Sequence, residues 1–331
     1  MSARSATLAR TRNRGLLPMA TTTNAPPEVA PAKRLPGSAA ATVNKPRRSV
    51  LEHIRLVISY RELLVGMVRK ELKVKYKNSA LGFFWSMLNP AMYLVVFYVV
   101  FQIVLGNGIP YFPIFLLSGL LAWNLFSVTL GAATGSIVGN SSLVNKVYFP
   151  REILPLAAVG ANLVHFFLQG IVLVLGMIVF RFDVDLAYLW LAVPALLVLL
   201  LLTSAIAIFL ACANVYARDT QHLLELALLA WFWMTPIVYP FGFVAGSLTD
   251  KGYAATLALI NPMTSIVLAF QRAFYGILVL PESVGGGAIL PDESPLWFLR
   301  NLAIVGAVSV VLFILAVRLF DRLEANFAEE L

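Results

Sequence analysis

RELLVGMVRKELKVKYKNSALGFFWSMLNP, residues 61–90, decides how this chain is read. Lys70, Lys73, Lys75 and Lys77 need water or anionic headgroups, whereas Phe83, Phe84 and Trp85 suit the interfacial zone of a bilayer. A basic amphipathic segment thus runs through an aromatic shoulder into a long apolar span. Helical periodicity begins upstream: Ile54, Val57, Ile58, Leu64, Val68 and Leu72 recur at one-face spacings, and Arg55, Glu62, Arg69, Lys70, Lys73 and Lys77 mostly fall elsewhere. Glu71 and Lys75 form a favourable i,i+4 pair. The pattern predicts a helix lying along the cytoplasmic leaflet; a charged flank that merely stops translocation is the simpler alternative.

Composition points the same way. Of 331 residues, 60% are hydrophobic and 13% charged, too little charge to cover a soluble domain of this length. Residues 1–81 hold 16 of the 25 Lys and Arg but only 4 of the 17 Asp and Glu, so the net +8 belongs to the N-terminal quarter. Nucleic acid would be the soluble explanation; direct fusion to apolar spans favours a membrane surface and no nucleic-acid partner. Residues 1–49, rich in Thr, Ala and Pro, predict a disordered cytoplasmic tail, and the short GLLPMA, broken by Pro18, is no signal-peptide core. The single cysteine, Cys212, reads as a small buried hydrophobe.

A bilayer core needs roughly 20 apolar residues per helical crossing. Six windows qualify: 81–105, 112–138, 153–179, 189–213, 223–244 and 297–319. Lys146 and Arg151, Arg218, and Arg322 lie in one set of loops and ends, whereas residues 107–111 carry no charge and residues 245–296 hold two basic against four acidic residues. The positive-inside rule therefore puts both termini in the cytoplasm. Continuous apolar runs such as VLLLLTSAIAIFLACA exclude the alternation of a barrel strand. Residues 252–280 are apolar but carry Asn261-Pro262, Gln271, Arg272 and Gly276, which predicts short re-entrant helices with Arg272 near headgroups.

Several chemistries lack their residues. His53, His165 and His222 make no HExxH, no GxxxxGK[ST] loop is present, and no convincing Ser-His-Asp set emerges. Acidic residues are nearly missing from the spans, Glu225 at an edge being the closest, so an ion-coupled carrier is disfavoured. No catalytic residue and no metal ligand is assigned.

The chain resembles the transmembrane permease subunit of ABC-2 type exporters of lipid-linked polysaccharides, the group moving O-antigen, teichoic acid or galactan. The likeness rests on RKELKVKYKNSALGFFWSMLNP at 69–90, NSSLVNKVYFPREILPL at 140–156, YARDTQHLLEL at 216–226, WFWMTPIVYP at 231–240 and NPMTSIVLAFQRAFYG at 261–276. It covers about residues 55–320; the tail before Val50 and the insert 281–295 fall outside it. What it implies is an all-α membrane protein of the ABC-2 exporter fold, with six transmembrane helices, an N-terminal amphipathic interface helix (50–80) and short re-entrant extracytoplasmic helices before the last span. The transmembrane domain would cover 81–320, with a coupling helix at about 140–150, and residues 321–331 would form a cytoplasmic tail. The resemblance further implies a homodimer in the bacterial inner membrane, paired with two copies of a separate nucleotide-binding ATPase that carries ATP and Mg, while this chain binds no cofactor and is not an enzyme. Its cargo would be polysaccharide on a polyprenyl diphosphate, moved outward among membrane lipids. By resemblance Leu143, Lys146, Tyr148, Phe149, Arg151, Glu152, Arg218 and Asp219 would couple to the ATPase.

A hydrated sugar polymer needs a wide path of rings and exchangeable hydrogen-bonding groups. Candidates for its lining are Tyr93, Phe97, Tyr98, Phe101, Trp123, Asn124, Phe126, Asn162, Phe166 and Gln169; Arg69, Lys70 and Lys73 are candidates for the diphosphate or lipid headgroups. Lipid-facing or helix-packing aromatics are the bland alternative. Competing functions are an exporter of a drug or small lipophile, a membrane glycosyltransferase, or a scaffold. Ala-, Val- and Arg-rich composition leans toward a high-GC source and a cell-wall galactan.

Overall fold

The computed structural model describes residues 50–76, 84–279 and 288–331. The expected tail 1–49, the junction around residue 80 and most of the N-terminal half of the 281–295 insert lie outside the described residues. In chain order the helices are α1 (Val50–Ser59), α2 (Arg61–Tyr76), α3 (Phe84–Phe97), α4 (Phe112–Thr134), α5 (Ser136–Gly139), α6 (Ser141–Lys146) and α7 (Ile153–Val179). There follow α8 (Leu186–Leu189), α9 (Ala192–Tyr216), α10 (Thr220–Met234), α11 (Phe241–Asp250), α12 (Pro262–Phe274), α13 (Pro295–Leu323) and α14 (Phe327–Glu330). A π-helix, Tyr98–Val104, continues α3, and a 3₁₀ turn, Ala255–Ile260, precedes α12. Among the described residues there is no strand, only an isolated bridge between Val279 and Ala288.

Among the described residues, four helical stretches are long and apolar enough to cross a membrane: Phe112–Thr134, Ile153–Val179, Leu186–Tyr216 and Pro295–Asn326. Six were expected. The first window holds a shorter apolar helix, Ala91–Val104, and the fifth is interrupted. α10 stops at Met234 because Thr235 is extended (φ −105, ψ 129) ahead of Pro236, which has no N–H to donate and disfavours helical geometry in its predecessor. Within the long helices, hydroxyls that lack water bond back into their own turn. Ser118 Oγ reaches Phe115 O at 2.8 Å, and Thr203 and Ser309 reach Leu199 O and Val305 O at 2.7 Å.

α4 is the central element, buried along nearly its whole length, with α7, α9, α10 and α12 packed around it. The approach is close at Gly119, where a Cβ would sit 3.0 Å from Gln271 Nε2 and 3.2 Å from Ile237 Cγ2. α12 does not lie against headgroups: from Met263 to Ala273 every residue is buried in protein. Asn261 caps it, accepting from Met263 N at 3.0 Å, with Pro262 at the first helical position. The same Asn261 accepts from Trp231 Nε1 at 2.7 Å and donates to Thr235 Oγ1 at 2.9 Å, fixing α12 to the broken end of α10. Gly276, with φ +76, ends the helix in the left-handed region.

A second apolar cluster joins α2, α5, α6, α7, α9, α13 and α14 through Met67, Ile137, Phe149, Cys212, Phe320 and Phe327, among others. It forms the floor on which the expected coupling segment rests.

Candidate functional site

The segment between α4 and α7 is built from short, tethered pieces. α5 and α6 are one-turn helices hinged at Asn140, whose Nδ2 donates to Ser136 O at 2.8 Å. After α6 the chain extends at Val147 (φ −128, ψ 135), and this turn sends adjacent side chains in opposite directions. Tyr148 projects outward with 73% exposure, whereas Phe149 is 4% exposed and sunk in the second cluster. Lys146 is exposed and Leu143 packs half-buried against the cluster. In the next loop on this side, Arg218 and Asp219 are both exposed. Five of the eight residues expected to couple thus reach or edge the surface: Leu143, Lys146, Tyr148, Arg218 and Asp219.

The other three face into the chain. Arg151 Nη1 donates to Glu324 O at 2.6 Å and its guanidinium lies 5.8 Å from the Phe327 ring centroid. Glu152 is buried at the N-cap of α7, with Oε1 3.0 Å from His53 Nδ1. His53 Nε2 in turn lies 2.7 Å from Asp321 Oδ2. These donor atoms gather within 4.8 Å, yet the two ring nitrogens address different carboxylates instead of converging on one ion. The ring thus sits between two acids at ion-pair distance, with His53 Nε2 and Glu152 Oε1 outside hydrogen-bond geometry.

The basic helix α2 packs along α7. Met67 is buried, and Val68 faces Gly160 so closely that a Cβ there would lie 2.8 Å from Val68 Cγ2. Arg69, Lys70 and Lys73 are all exposed, and Lys70 Nζ donates to Asn140 Oδ1, tying α2 to the hinge of the coupling segment.

The ten candidates for a polymer path separate by burial. Tyr93 and Tyr98 are exposed on α3 and its π continuation. Phe97 and Phe101 are half-buried, Phe97 stacking on Tyr93 (6.0 Å) and Phe232 (6.0 Å), and Phe101 on Phe112 (6.2 Å). Trp123 and Phe126 are buried in the body, Trp123 edge-on to Phe232 at 5.5 Å and Phe126 to Trp231 at 5.1 Å. Phe166 is buried against Phe270 at 5.8 Å. Asn162 is also buried, donating to Ala158 O at 3.0 Å, while half-buried Asn124 and Gln169 bond each other at 3.2 Å between α4 and α7.

At the opposite end, Arg272 is buried and paired instead of dissolved in headgroups. Its Nη1 lies 3.5 Å from Asp185 Oδ2, and the guanidinium sits 3.4 Å over the Tyr188 ring. Asp185 also caps α8. The missed residues share one trait: His53 and Gly160 act through partners distant in sequence, and no local pattern marks them, whereas Asn261-Pro262 marked the start of α12 but not its bonds to Trp231 and Thr235.

The ABC-2 type transporter family matches this chain over residues 62–275. An O-antigen export system permease protein RfbA from Myxococcus xanthus is 35% identical over 84% of this chain and 98% of the relative. A Klebsiella pneumoniae protein of the same name is 26% identical over 81% and 94%. The polysialic acid transport protein KpsM of Escherichia coli is 24% identical over 67% and 82%.

Proposed function

Because the chain belongs to the ABC-2 type transporter family, we propose that it is the permease of an ATP-driven polysaccharide exporter. It carries lipid-linked polymer outward across the bacterial inner membrane and leaves ATP hydrolysis to a separate subunit. The relatives named for O-antigen export and polysialic acid transport support the cargo class. The observation that carries the mechanism is the divergence of Tyr148 and Phe149. One ring is offered outward and the next is locked into the body, so a push on the segment reaches α7 without being absorbed by a loose loop.

In this reading Lys146, Tyr148, Arg218 and Asp219 present a mixed-charge, aromatic docking face to the ATPase. Six crossings form when α3 with its π continuation and α10 with α11 each complete a span, and α12 re-enters between protein walls. Both termini then lie with the basic loops in the cytoplasm. Two copies face each other across the apolar exposed surfaces of α3 and α10, where Tyr93, Tyr98 and Trp233 are available to sugar faces. Arg69 and Lys73 stay open to a diphosphate, while Lys70 senses the hinge through Asn140.

The test is Tyr148→Ala. We expect weakened association with the ATPase subunit by about 1–3 kcal/mol, read by co-purification and titration, with normal membrane insertion. Unchanged binding and transport would remove Tyr148 from the interface.

A further inference from the structure

His53 is an unusual residue to bury on an amphipathic helix: it is 5% exposed and meets carboxylates from two other elements. Glu152 begins α7 directly after the coupling segment and is 3% exposed; Asp321 lies near the end of α13 and is partly open. A counter-charge beside a carboxylate as enclosed as Glu152 offsets part of the cost of burying it. An apolar cavity of about 180 Å³, lined by Val57, Ile58, Leu156, Ile208, Phe313 and Val317, borders the group and keeps the local polarity low. The neighbouring joints converge on the same place. Arg151 holds the Glu324 carbonyl, and Tyr216 Oη donates to Leu323 O at 2.8 Å, so the end of α13 is fastened to both loops of the proposed docking face.

We propose that His53 is a positioning residue that clasps α1 to the start of α7, directly after the coupling segment, and to the last span, so that movement of the segment is passed to the interface helices. The proposal rests on the coupling role assigned above. The clasp adds a charged link from α1 to Glu152 and Asp321 beside the packing of its apolar face and its joint with α2. With it, the push that enters at Tyr148 has a direct polar route to α1.

The charge logic also gives the clasp a pH dependence. The Glu152 carboxylate beside the ring holds His53 above the ordinary histidine range, burial opposes this, and the charge of Asp321 adds to the rise. Other charged groups on adjoining elements are exposed (Arg61 and Glu62 on α2, Arg318 and Arg322 on α13) or engaged elsewhere, as Arg151 is with Glu324. On α1 itself, Glu52 and Arg55 are exposed. With a raised pKa, the contribution is complete below the unfolded value of about 6.5 and is lost as pH rises through the folded value. The clasp therefore opens on the alkaline side.

The experiment is hydrogen exchange of peptides covering residues 50–59 in the permease–ATPase complex in lipid discs. Rates are followed from about pH 6 to about pH 9 after correction for intrinsic exchange. Wild type is expected to lose protection progressively as pH rises across that range. His53→Gln should be weakly protected throughout and flat with pH. Asp321→Asn, on the more exposed carboxylate, should move the wild-type midpoint to lower pH and serves if His53→Gln fails to assemble. A flat wild-type profile, or full protection in His53→Gln, overturns the clasp. So does zinc-dependent protection of wild type that His53→Gln lacks, since the group would then be a metal site. For transmission, ATP hydrolysed per glycan delivered should rise about fivefold or more in His53→Gln, in line with a typical coupling energy. An unchanged ratio refutes that part. Absence of ATP-dependent glycan movement in wild type would instead count against the export reading, and exchange, which needs no glycan, would still judge the clasp.

Discussion

Gly160→Ala tests whether α2 is a packed part of the machine or a helix resting on its edge. A Cβ at this position would lie 2.8 Å from Val68 Cγ2 and 4.0 Å from Cγ1. Ordinary carbon contacts lie at about 3.5–4.0 Å, so the shortfall is close to 1 Å. Val68 has little freedom to yield, since a β-branched side chain in a helix holds one rotamer strongly. The helix must move or strain instead, at a cost of about 1–3 kcal/mol for overpacking. Against this, alanine is favoured over glycine in a helix by about 0.8–1.0 kcal/mol. The single change should therefore cost between about 0 and 2 kcal/mol net, a range too ambiguous to interpret alone. A double-mutant cycle with Val68→Ala resolves it, because removing both Cγ atoms clears the contact. We expect a coupling energy of about 1–3 kcal/mol, measured by reversible denaturation, with faster exchange of residues 61–76 in Gly160→Ala restored in the double variant. A coupling near zero would show that α2 does not pack on α7 at this point.

Two further outcomes follow from the same structure. Phe149→Ala should destabilise the chain by about 3–5 kcal/mol, as expected for a buried ring, whereas Tyr148→Ala should change denaturation by no more than about 1 kcal/mol; equal effects would contradict their opposite orientations. Arg272→Lys should cost about 1–3 kcal/mol because lysine loses the planar stack on Tyr188, while Asp185→Asn should cost less than about 1 kcal/mol because that carboxylate is partly solvated. Thermal unfolding of the purified chain decides both, and a larger effect at Asp185 would place the interaction in the ion pair.

Much of the architecture was legible because lipid imposes a coarse code. Long apolar windows announced α4, α7, α9 and α13, and the basic residues around 146–151 marked the segment joining α4 to α7. The direction in which a side chain points was harder to read. α4 is apolar on every face, so nothing in its sequence distinguishes buried Trp123 and Phe126 from rings lining a path. Tyr148 and Phe149 differ by a hydroxyl, and their separation is decided by the extended turn at Val147. Arg272 looked like a headgroup contact because its acceptor, Asp185, is remote in sequence; the fold supplies both that acid and a ring for stacking. His53 was visible only as an isolated histidine, since its partners come from the start of α7 and the end of α13. The break at Thr235-Pro236 was readable in principle from proline chemistry but was hidden by the hydropathy of the surrounding window.

The decisive measurement is ATP-dependent uptake of labelled polyprenyl-linked glycan into inverted vesicles containing this chain, its ATPase, or both. Uptake that requires both proteins, with no ATP hydrolysis by the permease alone, is the predicted result. Equal uptake without the permease, or hydrolysis by the isolated chain, would contradict the account.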